Sequence, residues 1–339
     1  MLTQFCKKIN KLQIQNILIL LLLLSSIILF FYHIITDAYL IASILGFVIL
    51  FFLSRMMDGK SIDLANKHFR HFTKINKTAT FKETMPRFNE PRAKVKHAIL
   101  LLHGFSASTS EFNCLYPELD KRGILYYAPA LSGFGADSIR ELKNISAEQW
   151  LRDGEKGYLL LSRMAEEISI IAHSMGSLIA LHLSGKYPVK KLVLTSPYIQ
   201  YKMEHRTFAS IMRYPALCKI LMFLNPIVKK NSKQDLEEVA LSGRFVYVAV
   251  PIQAVKELWR LTELIEYNNV KQNNMVVLFG NKDYTIEIER TLDKLRKINE
   301  GLESLTFEKS GHNLLEDVES EQVRDMIIEN IFNKHHSPY

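Results

Sequence analysis

From Val95 onward, short apolar runs alternate with helical stretches, and this alternation constrains the fold more than any other feature of the chain. Val95–Leu102, Gly123–Ala128, Ile168–Ala172, Lys191–Leu194, Met275–Phe279 and Ser304–Glu308 read as strands. Several are continuously apolar, as strands buried on both faces must be. Between them, Glu111–Arg122, Ala147–Ala165, Ser177–Tyr187 and Ile286–Lys297 read as helices. Strand–helix alternation predicts an α/β fold, a mainly parallel, doubly wound sheet with helices on both faces. At 48% hydrophobic and 23% charged residues, the composition excludes a disordered chain. Cys6, Cys114 and Cys218 have no metal-ligand spacing and are too few for a disulfide scaffold, which suits a reducing compartment.

One pentapeptide within this pattern carries chemistry: Ala172-His173-Ser174-Met175-Gly176, placed where a strand ends and a helix begins. A serine on such a sharp turn stands above the sheet edge, and small residues two positions to either side relieve backbone crowding. A helix N-cap serine is the plainer reading of the same residue. The run Leu102-His103-Gly104-Phe105 ends the first strong strand. Gly104 lets the loop approach closely, so the backbone N–H groups of Phe105 and Met175 are the candidate oxyanion donors. Asp283 follows the strand Met275–Phe279, and His312 follows Leu305–Glu308, both on strand-end loops where a doubly wound sheet gathers its sites. A serine hydroxyl needs a histidine to take its proton, and a carboxylate to fix that imidazole. Ser174, Asp283 and His312 are therefore the candidate triad. Gly104, Ala172, His173 and Gly176 support the turn and loop; His173 reads as a wall or packing residue and His103 as a brace for the loop. Asp317 reads as part of the opening of the last helix. Neither an organic cofactor nor a metal is required by this chemistry.

Residues Val95 to Phe332 resemble the α/β-hydrolase superfamily, within it the carboxylesterase and monoacylglycerol-lipase-like branch. The resemblance rests on His103-Gly104-Phe105, Pro129-x-x-x-Gly133-Phe134-Gly135, the Ala172–Gly176 pentapeptide, Gly280-x-x-Asp283 and Gly311-His312. It departs from the usual pattern at Ala172, where the first elbow glycine is usual, and at Phe134, where relatives often have histidine. It implies a helical cap over the site, expected at 198–265, between core segments 95–197 and 266–334. Phe208–Val228 in that insertion is dense in Phe, Ile, Leu and Met, which suits either an acyl-binding lid or plain packing of the cap. Within Leu241–Ile252, the run Phe245-Val246-Tyr247-Val248 is compatible with helix despite its β-branched residues.

The N-terminal region differs in kind. No charged residue occurs from Leu12 to Thr36, and after Asp37 another uncharged run extends from Ala38 to Ser54. A helix needs about 20 apolar residues to cross hydrocarbon. With basic residues before the first run and after the second, residues 1–54 are expected to form a two-helix membrane hairpin, its turn at His33–Asp37 and both ends cytoplasmic. A signal peptide fits less well, because a second apolar run follows without a small-x-small cleavage site. The net charge of +8 is localised: residues 55–96 carry 11 Lys/Arg against 4 Asp/Glu. That excess, in a basic connection over 55–94, predicts docking on an anionic membrane leaflet rather than on nucleic acid. The resulting expectation is a membrane-anchored serine hydrolase with a cytoplasmic catalytic domain. Its substrate would be an ester with an apolar acyl group, such as a monoacylglycerol, a lysophospholipid or a short ester. Transfer to another acceptor, thioester or amide cleavage, and a non-catalytic membrane binding module are the alternatives. Oligomeric state is not legible.

Overall fold

The computed structural model describes residues 11–32 and 42–53, isolated positions up to 63, and 84–202 apart from 90, 92, 136 and 137. It further describes short pieces between 210 and 229, then 246–270 and 274–332. The chain divides into two units, Met1–Leu64 and Ala65–Tyr339. In the first, Lys11–Tyr32 is a helix and residues 42–53 are helical. Among the described residues no helix is long and apolar enough to cross a membrane, so the expected spanning hairpin is not found. Its expected turn, His33–Asp37, lies outside the described residues.

The second unit is built on a seven-stranded sheet. Its strands are β1 (Arg87–Phe88), β2 (Val95–Leu102), β3 (Leu125–Ala128), β4 (Ala165–His173), β5 (Leu192–Thr195), β8 (Met275–Gly280) and β9 (Glu303–Phe307). Two further strands, β6 (Ile227–Lys229) and β7 (Ala249–Pro251), pair separately and antiparallel. The main sheet runs β1-β3-β2-β4-β5-β8-β9, and only the β1–β3 pair is antiparallel. All six sequence-predicted strands are present. The two-residue β1 is too short to leave a periodic signal.

Among the described residues six helices accompany the sheet: α1 (Tyr116–Lys121), α2 (Ala147–Ser162), α3 (Met175–Lys186), α4 (Ile252–Leu264), α5 (Ile288–Arg296) and α6 (Ser320–Phe332). The helix expected over Glu111–Arg122 is interrupted: a 3-10 turn, Thr109–Phe112, precedes α1, with Pro117 at its start. Proline lacks the N–H a continuous helix would need there. The insertion is not wholly helical either. Within the expected helical cap, Ala249–Pro251 is strand, and α4 starts only at Ile252.

Alternate residues of each central strand pack on opposite faces. On one face Ile99, Leu101, Ile171, Val193, Val276 and Leu278 join Leu115, Leu119, Leu315, Val323 and Ile327 in a core. On the other, Gly157 of α2 lies against Leu100, and Gly154 against Ile179 of α3. Burial of these apolar side chains, about 1.5–3 kcal/mol each, holds the strand ends that carry the site in register.

His97 contributes a pH dependence. Its Nε2 lies 2.8 Å from Ser169 Oγ, across the β2–β4 pair. Burial, and then Lys190, push its pKa down to about 4, against a smaller opposing pull from Glu167. Below about pH 6.5 the unfolded chain therefore binds a proton that the folded chain refuses until about pH 4. The associated stability is complete above pH 6.5 and is lost as the pH falls toward 4. Allowing for partial exposure, His97→Gln should shrink the stability difference between pH 7 and pH 4.5 by about 1–2 kcal/mol in urea unfolding.

Candidate active site

The turn from β4 to α3 places Ser174 at φ 49°, ψ −114°, a conformation unusual for a residue with a side chain. The turn is held by three backbone bonds. Ser174 N–H donates to the Thr195 carbonyl at 2.9 Å, while its own carbonyl accepts from Ser177 and Tyr198. The steric reason for the motif is visible at Gly176: a Cβ there would lie 2.1 Å from the Leu102 carbonyl oxygen. Ala172 is fully buried, paired with Leu102 on one side and Leu194 on the other.

The loops after β8 and β9 bring the other two candidates to the serine. His312 Nε2 lies 2.8 Å from Ser174 Oγ, and His312 Nδ1 lies 2.7 Å from Asp283 Oδ2. Asp283 is buried, and its Oδ1 accepts N–H bonds from Thr285 at 2.7 Å and Ile286 at 3.2 Å. Burial alone would raise its pKa, but His312 and these two donors outweigh it and hold the carboxyl below its usual range. The His312 loop is anchored in turn: Gly311 N–H donates to Asp317 Oδ2 at 2.6 Å, and Ser310 Oγ to Glu319 Oε2 at 2.7 Å. Asp317 lies in the bend before α6, not in the helix opening where it was expected, and makes a tethering contact that sequence position alone could not reveal.

The loop after β2 lies beside the elbow. A Cβ on Gly104 would be 3.1 Å from His173 Cδ2 and 3.3 Å from Ser174 Cβ, so only glycine fits comfortably. His103 is fully buried; its Nδ1 lies 2.9 Å from the Gly104 carbonyl, and Leu131 N–H donates to its Nε2 at 3.1 Å. Since Nε2 accepts, Nδ1 carries the proton, and burial pushes the pKa down. His103 therefore braces two loops as a neutral ring. Phe105 follows Gly104, and Met175 opens α3, where helical N–H groups have no partner within the helix. His173 is buried: Nδ1 lies 2.9 Å from Thr195 Oγ1, and its ring centroid is 5.2 Å from that of His312.

Phe134 stands in an aromatic cluster. Its ring stacks on Trp150 at 5.7 Å and meets Phe105 edge-on at 5.5 Å, with Tyr247 at 6.4 Å. Tyr247 N–H donates to the Ser106 carbonyl, tying the insertion to the loop. Sequence reading missed Glu111, which it placed only within a helix. That side chain is buried, and its Oε2 accepts the Gly104 N–H at 2.8 Å. The available signal was a lone acid eight positions after His103, among small hydroxyl residues. No group of residues suited to hold a metal ion occurs among the described residues.

The family model described as serine aminopeptidase, S33 (Hydrolase_4) matches residues 93–319, more than half of the chain. The chain belongs to this hydrolase family. A carboxylesterase of Bacillus subtilis (strain 168) is 25% identical over 239 residues, covering 69% of this chain and 90% of that protein. Among solved structures, one of the metagenome-derived lipolytic enzymes LipS and LipT is similar at TM-score 0.61 and 17% identity, over 74% of this chain and 97% of that one. The monoacylglycerol lipase of Paleococcus ferrophilus is similar at TM-score 0.54 and 16% identity, over 72% and 97%. These likenesses establish the α/β-hydrolase fold for the second unit.

The contact at Gly176 yields a direct expectation for this family member. Gly176→Ala cannot keep the turn without displacing the Leu102 carbonyl, and should lower stability by about 3 kcal/mol or more in denaturant unfolding.

Proposed function

We propose that this chain is a serine ester hydrolase working through an acyl-enzyme. The observation that carries the reading is the continuous chain of contacts from Ser174 Oγ to His312 to buried Asp283. In that arrangement His312 takes the Ser174 proton as the hydroxyl attacks the ester carbonyl. Asp283 orients the ring and stabilises the imidazolium. The N–H groups of Phe105 and Met175 receive the negative charge on the carbonyl oxygen. His312 then returns the proton to the leaving alcohol. Water, activated by the same ring, releases the acyl group and regenerates Ser174.

An apolar acyl group is the proposed substrate feature. Phe105 favours it, since its half-buried ring beside the oxyanion loop, backed by the buried cluster of Phe134, Trp150 and Tyr247, offers apolar contact and no hydrogen-bonding group. Monoacylglycerols, lysophospholipids and short esters all carry such a group, and the carboxylesterase and lipase relatives agree with an ester. The family description favours a second reading, cleavage of an aminoacyl amide.

Purified protein should turn over p-nitrophenyl esters of increasing chain length far faster than aminoacyl p-nitroanilides, and should react covalently with a fluorophosphonate. Ser174→Ala should abolish labelling and lower turnover by about 10³-fold or more, and Asp283→Asn by about 10²–10⁴-fold. A folded wild type that neither labels nor cleaves any ester would overturn the reading; faster anilide cleavage would favour the aminopeptidase.

Membrane association through the N-terminal unit, with the catalytic unit on the cytoplasmic side, is part of the same proposal. It is supported by the uncharged run from Leu12 to Thr36, by the exposed Leu18, Leu20, Leu21 and Leu22 of the Lys11–Tyr32 helix, and by the basic excess of residues 55–96. The full chain should sediment with membranes and stay there through both high salt and alkaline carbonate. Release by salt alone would reduce the association to charge, and a fully soluble chain would overturn it.

A further inference from the structure

Glu111 is a charged-type side chain in an unusual place. It is 3% exposed, although carboxylates are almost never buried unless paired. Burying one costs several kcal/mol unless its lone pairs find donors. The 3-10 turn Thr109–Phe112, capped by the Ser108 side chain on Ser110 N–H, carries it back toward the end of β2. There its two oxygens meet two residues, each immediately before a reacting group. Oε2 accepts the Gly104 N–H at 2.8 Å, and Gly104 precedes Phe105. Oε1 lies 3.7 Å from His173 Nε2, and His173 precedes Ser174.

Glycine is required at 104 by the close approach of His173 and Ser174, but it also makes the loop permissive. Nothing in a glycine's own sterics fixes the orientation of the peptide that follows. The 2.8 Å bond from the Gly104 N–H to Glu111 Oε2 restores that orientation from outside the loop. On the other side, His173 is held by Thr195 Oγ1, its ring backs that of His312, and Glu111 Oε1 fills the space facing its Nε2. The Glu111 side chain thus bonds the oxyanion loop and packs beside the elbow.

We propose that Glu111 is a positioning residue, whose buried carboxyl group locks the Gly104–Phe105 peptide in the geometry that the acyl-transfer site requires. The inference rests on the serine-hydrolase reading of Ser174, His312 and Asp283. Glu111 does not touch the reacting atoms; it acts through Gly104.

The test compares full-length wild type, Glu111→Ala and Glu111→Gln in ester turnover and in hydrogen exchange of the peptide spanning residues 103–106. Glutamine keeps a carbonyl oxygen for the Gly104 N–H, whereas alanine leaves that N–H without it. Glu111→Ala should lower kcat by about 10²-fold with KM within about threefold of wild type, because misplaced donors act on the transition state rather than on substrate binding. Exchange at residues 103–106 should rise at least about tenfold while the β4 and β5 core stays protected. Glu111→Gln should recover kcat to within about tenfold of wild type and restore protection. Wild-type kcat in a folded Glu111→Ala would overturn the proposal. So would a rise in exchange spread evenly through the unit, or a Glu111→Gln no better than alanine. If wild type itself proves inert toward esters and phosphonate, the hydrolase reading fails separately, and so does a role in positioning that chemistry; the exchange data then show only whether Glu111 holds the loop.

Discussion

The site depends on one close backbone crossing. The first turn of α3 passes so near the end of β2 that the Leu102 carbonyl oxygen occupies the space a side chain at 176 would need. That crossing turns the chain sharply after β4 and leaves Ser174 in a left-handed conformation. Such a conformation costs on the order of 1–3 kcal/mol and persists only when the surroundings over-determine it. Here they do. The Ser174 N–H and C=O are both bonded to neighbouring backbone, and the flanking strands are buried and parallel.

The remaining groups converge because a parallel sheet delivers its strand ends to one edge. The loops after β2, β4, β8 and β9 supply Gly104 and Phe105, Ser174, Asp283 and His312 respectively. Each loop is then tethered by a polar contact of its own: Gly104 to Glu111, Gly311 to Asp317, and Asp283 to the N–H groups of Thr285 and Ile286. Loops would otherwise be the least constrained part of the molecule. The tethers convert strand register into a distance below 3 Å between side chains more than a hundred residues apart.

Charge is handled in the same economical way. Asp283 stays ionised despite burial because a histidine and two backbone donors face it. His103, equally buried, stays neutral because burial disfavours its charged form and the Leu131 N–H occupies its Nε2. Phe134 adds an apolar neighbour to that brace, with its ring 5.6 Å from His103. The loop after β2 is therefore supported by the His103 ring on one side and the Glu111 side chain on the other.

What was legible in the sequence followed from local chemistry. Continuous apolar runs specify strands buried on both faces, and small residues around a serine specify a tight strand–helix turn. Residues 95–102 and 172–176 were readable for those reasons, and Asp283 and His312 for their place after strands. The split near Pro117, the strand at Ala249–Pro251 and the two-residue β1 were not, because short elements are set by their partners rather than by their own periodicity. Tertiary structure alone decided that Glu111 and Asp317 act as tethers. Their roles consist of contacts made across loops, and a hydrogen-bond partner distant in sequence leaves no periodic trace in either chain segment.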